Sequence, residues 1–369
     1  MYHNLINKLL ALVFLALISN AWAGETKIKS TVIADGLRHP WGLEFLPDGR
    51  FLITERDGFL RILDKNGLSK VIPGLPPIAV KAQGGLLDVA LDPEFSKNNW
   101  VYFTYSATGP GGIGTELGRG KLKNDKIIEF EVLFRLLPKT SSGYHFGSRI
   151  VFDDKGYLYI TLGDRGDRNR AQDLSDHAGS VIRLNTDGSI PADNPFINVS
   201  DKEPEIFSYG HRNPQGAAWH PARKEIWIHE HGPQGGDELN IIEKGTNYGW
   251  PLATYGKEYV TGFKIGKTVI PGTAQPVHYW VPSIAPSGMS FYQSDRFPGW
   301  NGDLLIGSLK FQELVRLKLN GAKIIKEQRL LSGELGRIRA VKVDATGYIW
   351  LLTDSSDGKL VRLEPSNQD

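Results

Sequence analysis

The same short pattern occurs six times along this chain, and it restricts the fold more than any other feature. Each copy is an apolar, β-rich run, a turn carrying Asp, Pro or Gly, and a second apolar run. The copies start at Gly42, Leu87, Arg149, Gly216, Gly288 and Ile338. The first (GLEFLPDGRFLITE) continues through Phe59–Asp64 and Lys70–Gly74, which predicts three or four strands per copy. Starts about 45 to 70 residues apart suit four-stranded blades with variable loops. The expectation is an all-β chain: a six-bladed β-propeller of four-stranded antiparallel blades. Sustained helical periodicity is almost confined to the N-terminal leader.

Two end segments complete the pattern. Lys27–Ala34 has strand composition but no copy of its own, and the last copy ends in Lys359-Leu-Val-Arg-Leu. Pairing them in one blade would close the ring and remove open sheet edges. Residues 1–23 read as a secretory signal peptide: His3 and Lys8, an apolar Leu9–Ile18, then Ala21-Trp22-Ala23. Residues 24–369 are then expected to form one domain, exported to the periplasm, with no membrane span.

With no cysteine in the sequence, neither disulfides nor thiolate ligands are available. The 43 basic and 41 acidic residues are interspersed, for a net charge of +2. There is no basic block of the kind that binds nucleic acid. Gly109–Gly114 fits a G-x-G-x-x-G pattern, but no helix follows, so a hairpin loop is expected. Asp164, Asp167, Asp173 and Asp176 lack the spacing of an EF-hand loop and are read mostly as solvated turn residues.

Polar and glycine clusters sit at the strand ends, where a propeller gathers chemistry from all its blades. His145 precedes the first strand of the third copy, and Asp164 follows its second strand. Gln83 precedes the second copy. Arg212 and Asn213 precede the fourth, in GHRNPQG. Lys310 follows a strand of the fifth, and Arg337 and Arg339 open the sixth. The last two are two apart, so their side chains share a face. With Arg212 and Lys310 they would place four cations near one pocket suited to a ligand with several carboxylates or phosphates. Taken alone, the same residues also fit ordinary surface charges. In Glu230–Asn240 (EHGPQGGDELN), Gly232 and Pro233 can aim carbonyls at a hard cation beside Asp237 and Glu238, which favours calcium; a plain acidic turn fits as well.

Five motifs in order, HFGSR at His145–Arg149, LGDRGD at Leu162–Asp167, GHRNPQG at Gly210–Gly216, EHGPQGGDELN and NYGWP at Asn247–Pro251, resemble the soluble quinoprotein glucose and aldose sugar dehydrogenases. The compact loops are most similar to the periplasmic aldose sugar dehydrogenase branch. The resemblance implies a propeller that oxidises sugars with pyrroloquinoline quinone (PQQ) and calcium. It implies His145 as general base, with Asp164 orienting it or a neighbouring cation. Gln83, Arg212, Asn213, Lys310, Arg337 and Arg339 would hold the quinone, with Tyr259 a further contact, and Arg212 would also stabilise charge developing on it. Gly232 and Pro233 would bind the cofactor's calcium through carbonyls, and Glu238 and Tyr248 would belong to a calcium site beside it. Tyr144 replaces an acidic residue of the glucose enzymes and His231 a glutamine, so glucose preference does not carry over.

The implied partners are a sugar and a separate electron acceptor, in a monomer or homodimer. Two other readings compete with this one. A calcium-dependent lactonase-type hydrolase would use acidic metal ligands and water. A non-catalytic glycan- or protein-binding propeller would use exposed aromatics such as Trp280, Trp300 and Tyr279.

Overall fold

The computed structural model describes residues 27–366; the segment read as a leader lies outside the described residues. Six four-stranded antiparallel sheets form a six-bladed β-propeller. The chain opens with β1 (Ile28–Leu37), which joins the last blade. Blade one is β2 (Pro40–Phe45), β3 (Phe51–Glu55), β4 (Phe59–Asp64) and β5 (Gly67–Leu68). Blade two is β6 (Leu86–Leu91), β7 (Trp100–Gly109), β8 (Gly112–Lys123) and β9 (Lys126–Arg135). Blade three is β10 (Ile150–Phe152), β11 (Leu158–Thr161), β12 (Ser180–Leu184) and β13 (Ile206–Tyr209). Blade four is β14 (Pro214–His220), β15 (Glu225–Glu230), β16 (Asp237–Ile242) and β17 (His278–Trp280). Blade five is β18 (Pro286–Phe291), β19 (Leu304–Ser308), β20 (Glu313–Asn320) and β21 (Lys323–Leu330). Blade six is β22 (Ile338–Val343), β23 (Ile349–Thr353) and β24 (Gly358–Pro365), with β1 outermost.

The first strand of each repeat is innermost, and these strands contact one another around the channel from β2 through β6, β10, β14, β18 and β22 back to β2. The ring closes as expected, with Ile28 opposite Pro365 and Thr31 opposite Arg362. Apolar residues from adjoining blades fill the spaces between sheets. Tyr102, Leu117 and Phe134 of blade two, for example, pack with Ile150, Leu158 and Ile182 of blade three. Burial of these faces drives the assembly, while each ladder satisfies its own backbone groups.

Two local expectations need adjusting and a third holds. Lys70–Gly74 forms no strand, because the outer strand β5 is only two residues long and Pro73 cannot donate to a ladder. Gly109–Gly114 is the hairpin expected, with Gly109 opposite Gly112. Of the four aspartates, Asp167 and Asp173 are exposed, but Asp164 and Asp176 are buried. Asp176 is held by Arg170 Nε at 2.6 Å. Only half the set is solvated.

Candidate active site

A cavity of about 590 Å³ opens at the end of the channel where these loops converge. Gln83, Asn213, Tyr259, Lys310, Arg337 and Arg339 all line it, with Pro233 and His231 on one side and Trp41, Leu87 and Phe146 adding apolar surface. Segments more than 250 residues apart in sequence therefore share one wall. Arg149, the last residue of HFGSR, underlies this cavity. Its Nε donates to Gln215 O at 2.7 Å, Nη2 to Arg339 O at 3.1 Å and Nη1 to Asp88 Oδ1 at 3.2 Å. The guanidinium stacks 3.9 Å from the Trp41 ring centroid. Burial lowers its pKa to about 10, which leaves it charged at neutral pH.

Arg337 and Arg339 do share a face, as their spacing implied. Both donate to Asp354 Oδ2, at 3.2 and 2.8 Å. Arg339 also donates to Gln215 Oε1 at 3.1 Å. The two cations hold the Asp354 carboxyl far below the ordinary range against the opposing pull of burial.

His145 sits beside this cavity, its side chain 16% exposed. Its backbone N donates to Gln83 Oε1 at 2.8 Å, and the next two residues, Phe146 and Gly147, line the wall. Its Nδ1 lies 2.6 Å from Asp164 Oδ1. An ionised carboxylate only accepts, so the ring carries a proton on Nδ1, and in the neutral imidazole the lone pair is on Nε2. Burial opposes the Asp164 charge, but bonds from His145 and Gly166 lower its pKa overall. Its other oxygen accepts from Trp250 Nε1 at 2.8 Å. The approach is close: a Cβ on Gly163 would lie 2.3 Å from His145 O.

The turn Glu230–Asp237 is shaped by Asp237, which accepts from Gly232 N, Ser283 Oγ, Ile284 N and Ala285 N at 2.7 to 3.0 Å. These four hydrogen bonds make Asp237 a support for the turn. A Cβ on Gly232 would lie 2.2 Å from Gly236 O, so glycine is required there.

Arg212 departs from expectation. It does not line the large cavity with the other three cations; its Nη1 donates to His231 O (3.0 Å) and Gly232 O (2.7 Å), and it lies over Trp250. It lines instead a space of about 10 Å³ with Glu230, Glu238, Gly232 and Thr254, enough for roughly one ion. Burial and the neighbouring Glu230 push the Glu238 carboxyl well above its usual range. Asn240 Oδ1 is buried with no partner, while its Nδ2 faces both carboxylates. Tyr248 stacks on His211, and its hydroxyl donates to Ile241 O (2.5 Å) and accepts from Glu243 N (2.8 Å). Only its carbonyl is left as a candidate ligand.

His231 donates from Nε2 to Pro286 O at 2.6 Å, and burial lowers its pKa to about 3, so it is neutral. His177, Glu203 and Glu205 form another group, outside the cavity lining. Leu137 N donates to His177 Nδ1, which places the ring proton on Nε2, facing the two carboxylates at 3.4 and 3.6 Å. That nitrogen has no lone pair to offer a metal.

The aromatic anchors of the glycan-binding reading fail on burial. Trp280 and Trp300 are 4% and 2% exposed, and only Tyr279 is open, stacked on Tyr255. Sequence reasoning missed Trp41, Trp250 and Asp354 as site residues. Asp354 carried one signal, its place at the end of the sixth copy opposite Arg337.

Comparison with known proteins agrees with this architecture. The Glucose / Sorbosone dehydrogenase family model matches residues 37–362. The aldose sugar dehydrogenase of Escherichia coli (strain K12) is 47% identical over 361 residues, covering 96% of this chain and 97% of the relative. The crystal structure of the soluble E. coli aldose sugar dehydrogenase in the apo-form superposes with a TM-score of 0.90, at 47% identity, over 92% of this chain and all of that one. The PQQ-bound aldose sugar dehydrogenase from Streptomyces coelicolor gives 0.76 at 29% identity, over 92% of this chain and 99% of that one. This chain belongs to the glucose/sorbosone dehydrogenase family.

Proposed function

We propose that this protein is a PQQ-dependent aldose sugar dehydrogenase that oxidises the sugar at C1 to a lactone. The observation that carries this reading is a histidine, fixed by a buried aspartate as the Nδ1–H tautomer, beside a cavity lined by four cations, Arg56, Lys310, Arg337 and Arg339.

The lining fits the cofactor. PQQ is a planar tricarboxylate, and Arg337, Arg339 and Lys310 offer cationic donors for its carboxylates, with Gln83, Asn213 and Tyr259 adding polar contacts. Trp41, Leu87 and Phe146 supply apolar surface for the ring faces. Calcium fits the small acidic space, where Glu230, Glu238 and Thr254 offer oxygen donors. For the cofactor's own calcium, Pro233 lines the cavity, while Gly232 O already accepts from Arg212 and would share that oxygen.

When bound, the quinone supplies the carbonyl carbon that accepts the C1 hydride, and calcium supplies a Lewis acid for that carbonyl. The protein provides the rest. His145 Nε2 takes the proton of the anomeric hydroxyl, and Asp164 stabilises the resulting imidazolium. Trp250 and Gly166 keep Asp164 in place. Arg212 braces the Gly232 turn through Nη1 and would stabilise negative charge developing on the quinone oxygen.

The hydrolase reading needs acidic ligands in the large cavity. Among the described residues the only carboxylate lining it is Asp354, already paired with Arg337, Arg339 and His39.

Purified protein reconstituted with calcium and PQQ should reduce an artificial electron acceptor when an aldose is added. Sugar turnover without quinone would refute the proposal. Among the described residues no helix is long and apolar enough to cross a membrane. Export to the periplasm through residues 1–23 predicts a mature N-terminus near Gly24, readable by N-terminal sequencing.

A further inference from the structure

Arg165 is one of the largest fully buried side chains, 1% exposed, yet among the described residues no carboxylate forms an ion pair with it. Asp164, its neighbour in sequence, is engaged with His145, Gly166 and Trp250. The Arg165 guanidinium instead donates to two backbone carbonyls, Tyr144 O and Ser142 O, and lies 3.5 Å from the centroid of the Phe146 ring. Its Nε has no partner. An unpaired buried cation is expensive, and an apolar side chain of similar size would ordinarily be as stable or more so.

Its contacts suggest why the cost is tolerated. Ser142, Tyr144 and Phe146 flank His145, whose own φ is +53°, in the left-handed region that L-residues other than glycine rarely occupy. Such a conformation persists only where the surroundings impose it. Gln83 holds His145 N from one side, and Gly163 lets the His145 carbonyl approach from beneath. The guanidinium fastens the carbonyls on the N-terminal side of the loop and covers the ring on its C-terminal side.

We propose that Arg165 is a positioning residue: it clamps Ser142–Phe146 so that the His145 imidazole stays on Asp164, and it does so at a net cost to stability. This rests on the reading of His145 as the base.

Arg165→Met and Arg165→Gln are compared with the parent in three measurements. Thermal unfolding of the quinone-free protein should give a Tm equal to or above the parent's. Nitrogen-15 spectra of histidine-labelled, quinone-free protein should show His145 losing its single Nδ1–H tautomer in the Met variant. In the reconstituted enzyme, kcat should fall about 100-fold in the Met variant with the sugar KM within about twofold, and Gln, which can still donate to one carbonyl, should recover part of the loss. In a His145→Ala background, Arg165→Met should cost nothing further.

Parental kcat in the Met variant overturns the proposal, as does an unchanged His145 tautomer. So does a lowered Tm, or failure of both variants to fold, because the guanidinium would then be a structural support. If His145→Ala itself turns over at the parental rate, it is the base reading that fails, and the tautomer spectra still judge the clamp.

Discussion

Arg339 Nη2 meets Asp354 Oδ2 at 2.8 Å inside the channel, which ties the first strand of the last blade to the end of its second. The same carboxylate oxygen accepts from Arg337, and its other oxygen meets His39 Nδ1 at 3.0 Å. One buried anion thus sets the spacing of two cations on the cavity wall.

Asp354→Asn should therefore destabilise the quinone-free protein by about 3 kcal/mol, because Arg339 is left buried without its counter-charge. The pH dependence follows from the sign of the shift. The folded carboxyl lies below its unfolded value of about 3.9, so its contribution is fully present above that pH and is lost as pH falls toward the folded value. Urea titrations between about pH 3 and 7 should show a steeper acid loss in the parent than in the variant.

Arg339 and Arg337 should differ as cofactor ligands. Arg339 has 8% of its side chain exposed and Arg337 has 47%. A desolvated charge contact is worth several times an exposed one. Arg339→Met should weaken PQQ binding by about 100-fold or more and Arg337→Met by about tenfold or less, as read by titration of quinone fluorescence.

Asp164→Asn should leave PQQ affinity near the parental value while lowering kcat by roughly 10³-fold. The amide can present N–H to the ring and favour the tautomer with Nδ1 unprotonated. Steady-state kinetics with any accepted aldose would check this, and a loss below tenfold would remove Asp164 from the mechanism.

Calcium should raise the Tm of the parent protein, and Glu238→Gln should abolish that rise. In the absence of calcium the variant should be at least as stable as the parent, because the like charge facing Glu230 is gone. Calorimetry with and without a chelator distinguishes this from a generic loss of packing.

Removal of residues up to Leu37 should lower Tm by more than 10 °C. It strips β1 from β24 along a register running from Ile28–Pro365 to Leu37–Gly358 and exposes an unpaired edge. Addition of the missing strand as a peptide should restore part of the loss.

The blades were legible in the sequence because a strand that buries an apolar face shows it locally, as in Leu158–Thr161, and turns such as Asp153–Gly156 carry their own chemistry. The closing of the ring by Lys27–Ala34 could be inferred too, since a lone strand must find an edge. His145, Asp164, Gln83, Asn213, Lys310, Arg337 and Arg339 stood out as polar residues at strand ends; the last five line one cavity, and the His145–Asp164 pair sits beside it.

What folding alone decided is where each polar group spends its hydrogen bonds. Residue type and spacing could not tell that Arg212 turns to the Gly232 carbonyl, that Asp237 is consumed by four donors, or that Trp280 and Trp300 face the core. Nor could they show an unpaired arginine beneath the His145 loop. Strand and turn are set by neighbours in the chain, whereas a buried polar group is satisfied by whichever partner the packing of distant blades brings within about 3 Å.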